Sequence, residues 1–131
     1  MGYVIGTLLA LLVGLFGTFV GLDRERGFYP VVTIVVASYW VLFAIMGAST
    51  PTLILELVVG SAFVLSGVVG FTRSLWFAVA GLAGHGVFDV FHDALYPNPG
   101  APPFWPAFCA SYDVVAGAYL AVLIRNGRVK A

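Results

Sequence analysis

A chain of 131 residues that is 61% hydrophobic and only 9% charged, with a mean hydropathy of +1.03, lies far from the soluble average of about 45–50% apolar and about 25% charged residues. Six basic and six acidic residues cancel, so no basic patch is available to nucleic acid and that class of function is set aside. The composition predicts an all-α fold, a polytopic transmembrane helix bundle forming a single domain over residues 1–131, with no room for a separate soluble domain.

The first stretch, about residues 3–22, lacks a basic leader region and an A-x-A cleavage signal and is too long for a signal core, so it reads as a retained span. Four further apolar stretches follow at about 30–48, 51–69, 75–92 and 104–124, each close to the roughly 20 residues that cross a bilayer. The separators agree. Asp23, Arg24, Glu25 and Arg26 part the first two, a short Ala-Ser-Thr turn precedes Pro51, and Thr72-Arg73-Ser74 parts the third from the fourth. Pro30 and Pro51 suit the first turn of a helix, where the missing N–H leaves nothing unpaired.

Five spans put Arg24, Arg26, Arg73, Arg125, Arg128 and Lys130, all six basic residues, on one side. By the positive-inside rule that side is cytoplasmic, which predicts an external N-terminus and an internal C-terminus in a bacterial or archaeal cytoplasmic membrane. The run from Ala94 to Phe104 together with Pro106 holds five of the seven prolines. It cannot continue a helix, and reads as a stiff linker or as a lid over whatever lies beneath. Tyr96 and Trp105 are expected at the outer headgroups, Tyr29 and Trp76 at the inner ones. Glycines at 14, 17, 21, 60, 67, 81, 84 and 117 and Ala116 are expected to let backbones approach.

Within the fourth stretch, Gly84 to Asp93 reads GHGVFDVFHD. His85, Asp89 and His92 recur at i, i+4 and i+7, a polar stripe on one helical face with Asp93 at its edge. Phe88 and Phe91 between them read as packing or lipid-facing residues. On the fifth stretch Cys109, Tyr112, Asp113 and Ala116 share a face. With alternating span directions and a rise of about 1.5 Å per residue, Glu56, His85, Asp89, His92, Cys109 and Asp113 all fall in the external half. Ionisable residues at such depth are costly, and so mark a functional site.

No lysine or arginine lies on that side. A buried carboxylate must be paired, bind a cation or take up a proton. Imidazole with carboxylate suits zinc, iron or copper better than magnesium or calcium, so His85, Asp89 and His92 are the expected metal ligands, completed by Glu56 or Asp113. Glu56, Asp89 and Asp113 are the candidate acids and bases, and Tyr112 is expected to orient a carboxylate. Cys109 reads as a small buried apolar residue rather than a nucleophile.

His85, Phe88-Asp89 and His92-Asp93, followed by Pro106-Ala107-Phe108-Cys109 and Asp113, resemble a pattern in small uncharacterised bacterial multi-span integral membrane proteins. The resemblance covers the last third of the chain and implies a multi-span helical protein without naming an activity.

Three functions fit the residues. The first is a membrane-embedded metal-dependent enzyme acting on a lipid or other apolar small molecule. The second is a metal-free isomerase, cyclase or epoxide hydrolase that uses buried carboxylates as acid and base. The third is a non-catalytic accessory subunit or carrier, as a homo-oligomer or within a larger membrane complex.

Overall fold

A computed structural model describes residues 1–131. It is all-helical: α1 (Gly2–Val20), a 3-10 turn (Leu22–Arg24), α2 (Phe28–Gly47), α3 (Thr50–Thr72), α4 (Trp76–Leu95) and α5 (Trp105–Arg125). The five helices match the five apolar stretches to within a few residues. α3 and α4 each run three residues further than expected, so the stripe through Asp93 lies wholly on a helix. Prolines fall at helix starts: Pro30 in the first turn of α2, and Pro51 and Pro106 at the opening positions of α3 and α5.

α4 is the centre of the arrangement. It packs against α5 and α3 and touches α2, α2 packs along α3, and α1 lies on the far side of α5. Burial in this bundle is the reverse of a soluble one. α1 turns Gly6, Ala10, Gly14 and Gly17 inward while Leu8, Leu12, Phe16 and Phe19 stand exposed. α3 likewise buries Glu56, Gly60, Gly67 and Gly70 and exposes Ile54, Leu57, Val58 and Leu65. Small residues at the helix interfaces with large apolar ones outside are what hydrocarbon solvent selects, because burying Leu or Phe gains nothing where lipid is equally apolar.

Four helices (α1, α2, α3 and α5) are long and apolar enough to cross a membrane. α4 matches α2 in length but carries the polar stripe, with His85, Asp89 and His92 all buried. The close approach of α4 to α5 depends on Gly86, where an added Cβ would lie 2.7 Å from Val114 Cγ2 and 2.9 Å from the Ala110 carbonyl oxygen. That approach brings the inward face of α5 onto the stripe.

The ends of the bundle differ in kind. At one end Arg26 donates to the carbonyls of Phe71, Gly70, Lys130 and Ala131, tying the end of α3 to the segment after α5. At the other, the Pro-rich connection folds back over the helices. Gly100 packs so closely on the Phe43 carbonyl at the end of α2 that no side chain fits there.

Candidate functional site

Every ionisable residue expected within the external half is buried. Glu56, His85, Asp89, His92 and Asp113 are each 0–1% exposed and Cys109 is 2% exposed. They form two adjoining clusters.

The first joins α4 to α5. His85 Nδ1 lies 2.7 Å from Asp113 Oδ2 and 3.2 Å from Asp89 Oδ2. The Trp40 indole N–H, from α2, donates to Asp89 Oδ1 at 2.7 Å. One oxygen of each carboxylate, Asp89 Oδ2 and Asp113 Oδ1, is buried without a hydrogen-bond donor. The phenyl ring of Phe63 meets the His85 imidazole edge to face, with centroids 4.7 Å apart.

The second cluster joins α3, α4 and the Pro-rich connection around Glu56. His92 Nε2 lies 3.1 and 3.0 Å from the two Glu56 oxygens. The Tyr96 hydroxyl donates to Oε1 at 2.5 Å and the Asn98 amide donates to Oε2 at 2.7 Å. Asn98 also donates to the Trp40 carbonyl at 3.0 Å and accepts from the Gly100 N–H at 3.2 Å, so one short side chain fastens the connection to both α2 and α3. Burial first, and then the neighbouring Glu56 carboxylate, push the Tyr96 phenol above its ordinary range.

Trp40 links the clusters. Its N–H holds Asp89, its carbonyl accepts from Asn98, and its ring stacks on His92 at 3.6 Å and 7°. His92 Nδ1 has no hydrogen-bond partner; its closest carboxylate is Asp93, 3.5 Å away with a side chain 69% exposed.

The atoms that can hold a metal ion are therefore those of His85, Asp89 and Asp113, which lie within 4.8 Å of one another. Ligand atoms about 2.0–2.2 Å from an ion stand roughly 3–3.5 Å apart, so the three atoms would have to draw in by about 1–2 Å to share one ion and would leave a coordination position open. The expected set of His85, Asp89 and His92 does not close around one ion. Seven residues of helix place His92 about 10 Å along the axis from His85, and its Nε2 is taken by Glu56. Glu56 likewise sits with His92 rather than with Asp113. Tyr112 makes no hydrogen bond to a carboxylate, a place that Trp40 fills instead.

Tyr112 and Cys109 lie in the wall of an apolar cleft of about 400 Å³ between α1, α2 and α5, with Leu9, Tyr39, Phe43 and Trp105 among its other walls. Cys109 is one helical turn from Asp113, so this cleft approaches the first cluster from the side of the bundle. The residues that sequence reasoning missed include Trp40, Asn98 and Phe63, and Tyr96, expected at the headgroups, instead donates to Glu56. A buried indole N–H needs an acceptor, and the residues three and four positions away on α2 (Val36, Ala37, Phe43 and Ala44) are all apolar, which is the one signal pointing Trp40 toward a carboxylate on another helix. Asn98, between two prolines, reads as an ordinary turn residue.

No family model, curated protein or solved structure matches this chain. The resemblance in its last third rests on the motif alone.

Proposed function

We propose that this chain is an integral membrane protein with five spans, an external N-terminus and a cytoplasmic C-terminus, whose His85, Asp89 and Asp113 bind a transition-metal ion for chemistry on a lipid or other apolar molecule. The observation that carries the reading is the close approach of one imidazole nitrogen and two carboxylates in a fully buried setting. Two carboxylate oxygens there lack any donor, and no lysine or arginine lies among their hydrogen-bond or ion-pair partners. Such a set is electrostatically incomplete without a cation or added protons. One nitrogen and two oxygens suit zinc or iron more than a soft thiophilic ion.

A bound ion of this kind supplies a Lewis acid or an activated water. The chain's own residues hold the rest in place. Trp40 fixes the orientation of Asp89 through its N–H, Phe63 restrains the His85 ring, and the Val114 and Gly86 contact sets the spacing of α4 and α5. The cleft walled by Tyr112 and Cys109 gives an apolar molecule a lateral approach from the bilayer toward Asp113. Size and lining match the general form of small-molecule sites, about 300–1,000 Å³ and mostly apolar.

A second reading is favoured by one specific distance. His85 Nδ1 and Asp113 Oδ2 at 2.7 Å are already in direct hydrogen-bond contact, the arrangement of a metal-free acid–base pair in which a proton is shared between imidazole and carboxylate. Elemental analysis of detergent-purified protein separates the two. The metal reading expects a stoichiometric transition ion that is lost in His85→Ala and Asp113→Asn and kept in Cys109→Ser. Protein purified from metal-replete medium with no bound ion sinks it and leaves the acid–base pair.

A further inference from the structure

At the end of the bundle where α1 and α5 finish, Arg128 is held rigidly. Its Nε donates to Asp23 Oδ1 at 2.7 Å and its Nη2 donates to the Thr18 carbonyl at 2.6 Å. Asp23 is 1% exposed and also accepts from the Thr18 hydroxyl, which in turn meets the Tyr119 hydroxyl at 2.7 Å. The acidic group here is thus already committed to Arg128. The Arg128 Nη1 group has no protein acceptor, and the Arg24 side chain makes no hydrogen bond or ion pair.

Arg24, Asn126, Gly127 and Arg128 line a cleft of about 540 Å³ that contains no apolar residue. A helix C-terminus ordinarily repels an anion, but this one is closed. The N–H groups of Asn126, Gly127 and Arg128 donate back to the carbonyls of Val122, Ile124 and Leu123. The side chains lining the cleft offer guanidinium and amide donors. Next to it in sequence, α1 and the turn after it expose Phe19, Val20 and Leu22, and α5 exposes Val122. Two guanidinium groups bordered by outward apolar side chains at the end of the spans match a molecule with an anionic head and hydrocarbon chains.

We propose that this cleft binds the phosphate of an anionic bilayer lipid, with Arg24, the free edge of Arg128 and the Asn126 amide as donors. The site lies at the opposite end of the bundle from the Pro-rich connection and stands whether or not His85 and Asp113 hold a metal. The probe is phosphatidylglycerol in phosphatidylcholine nanodiscs, with lipid retained on the full chain read by native mass spectrometry. Arg24→Gln and Asn126→Asp leave the Arg128–Asp23 pair intact, and thermal melting in the same discs reports folding. Each variant should lower phosphatidylglycerol retention about tenfold, the order of one charge-assisted hydrogen bond, while Arg73→Gln, a basic residue outside the cleft, leaves retention unchanged. An equal loss in Arg73→Gln would reduce the effect to diffuse charge at the basic end and overturn the site. Displacement of the lipid by inorganic phosphate at comparable concentration would overturn the lipid as its ligand.

Discussion

His85 on α4 and Asp113 on α5 meet at 2.7 Å between Nδ1 and Oδ2, a contact between residues 28 apart that lies in the most extensive helix interface of the bundle. Removing one partner leaves the other as a polar group sealed from water. His85→Ala is therefore expected to destabilise the fold by about 3–5 kcal/mol, the usual cost of breaking a buried pair. Thermal unfolding in detergent checks this, and an unchanged midpoint would show that the contact carries no weight. Where a metal is bound, its retention should also fall on acidification, because coordination requires an imidazole nitrogen without its proton.

Trp40 makes two separable contributions. Trp40→Phe keeps an aromatic face on His92 but deletes the N–H that Asp89 Oδ1 accepts. Leaving that oxygen without a donor should cost about 1–3 kcal/mol. Trp40→Leu removes the stacking as well and should cost more. Equal melting temperatures for the two variants would mean that the hydrogen bond, not the stacking, accounts for the whole effect.

Glu56 accepts from Tyr96 and Asn98, and so anchors the Pro-rich connection to α3. In Glu56→Gln one oxygen becomes an NH2 group facing donors, so at least one of these bonds is lost. Hydrogen exchange at the Gly100 N–H, which donates to Asn98, is the direct readout. Faster exchange there with unchanged exchange in α5 is expected.

Tyr96 predicts a dependence on alkaline pH. Its phenol is raised above the ordinary value by burial and by Glu56, so the folded state holds this proton more tightly than the unfolded chain does. The corresponding stability is present below the unfolded value near about 10 and is lost as pH rises further. Tyr96→Phe should flatten the fall of melting temperature across that alkaline range. A parallel curve for wild type and variant would remove Tyr96 from the account.

The proposed five-span topology puts the tail after α5 in the cytoplasm. Reporter fusions following Lys130 should be active there. An external tail would reverse the orientation and place Asp93 and the Pro-rich connection on the cytoplasmic side.

The sequence by itself determined the solvent and the elements. Apolar stretches of bilayer length, broken by charges and prolines, leave helices as the form that satisfies the backbone in lipid, and the helical repeat puts His85 and Asp89 on one face of α4. Depth was also legible, because rise per residue fixes how far Glu56 and Asp113 lie from their helix ends. The tertiary structure alone decided which of these residues meet. Periodicity specifies a face, not the rotation of that face toward a neighbour, and the rotation follows from where small residues such as Gly86 and Gly117 allow backbones to close. That packing gave Asp113 to His85 and Glu56 to His92, dividing one expected site into two. It also brought in Trp40 and Asn98, whose parts depend on acceptors 49 and 42 residues away in the chain, a separation that no local pattern records.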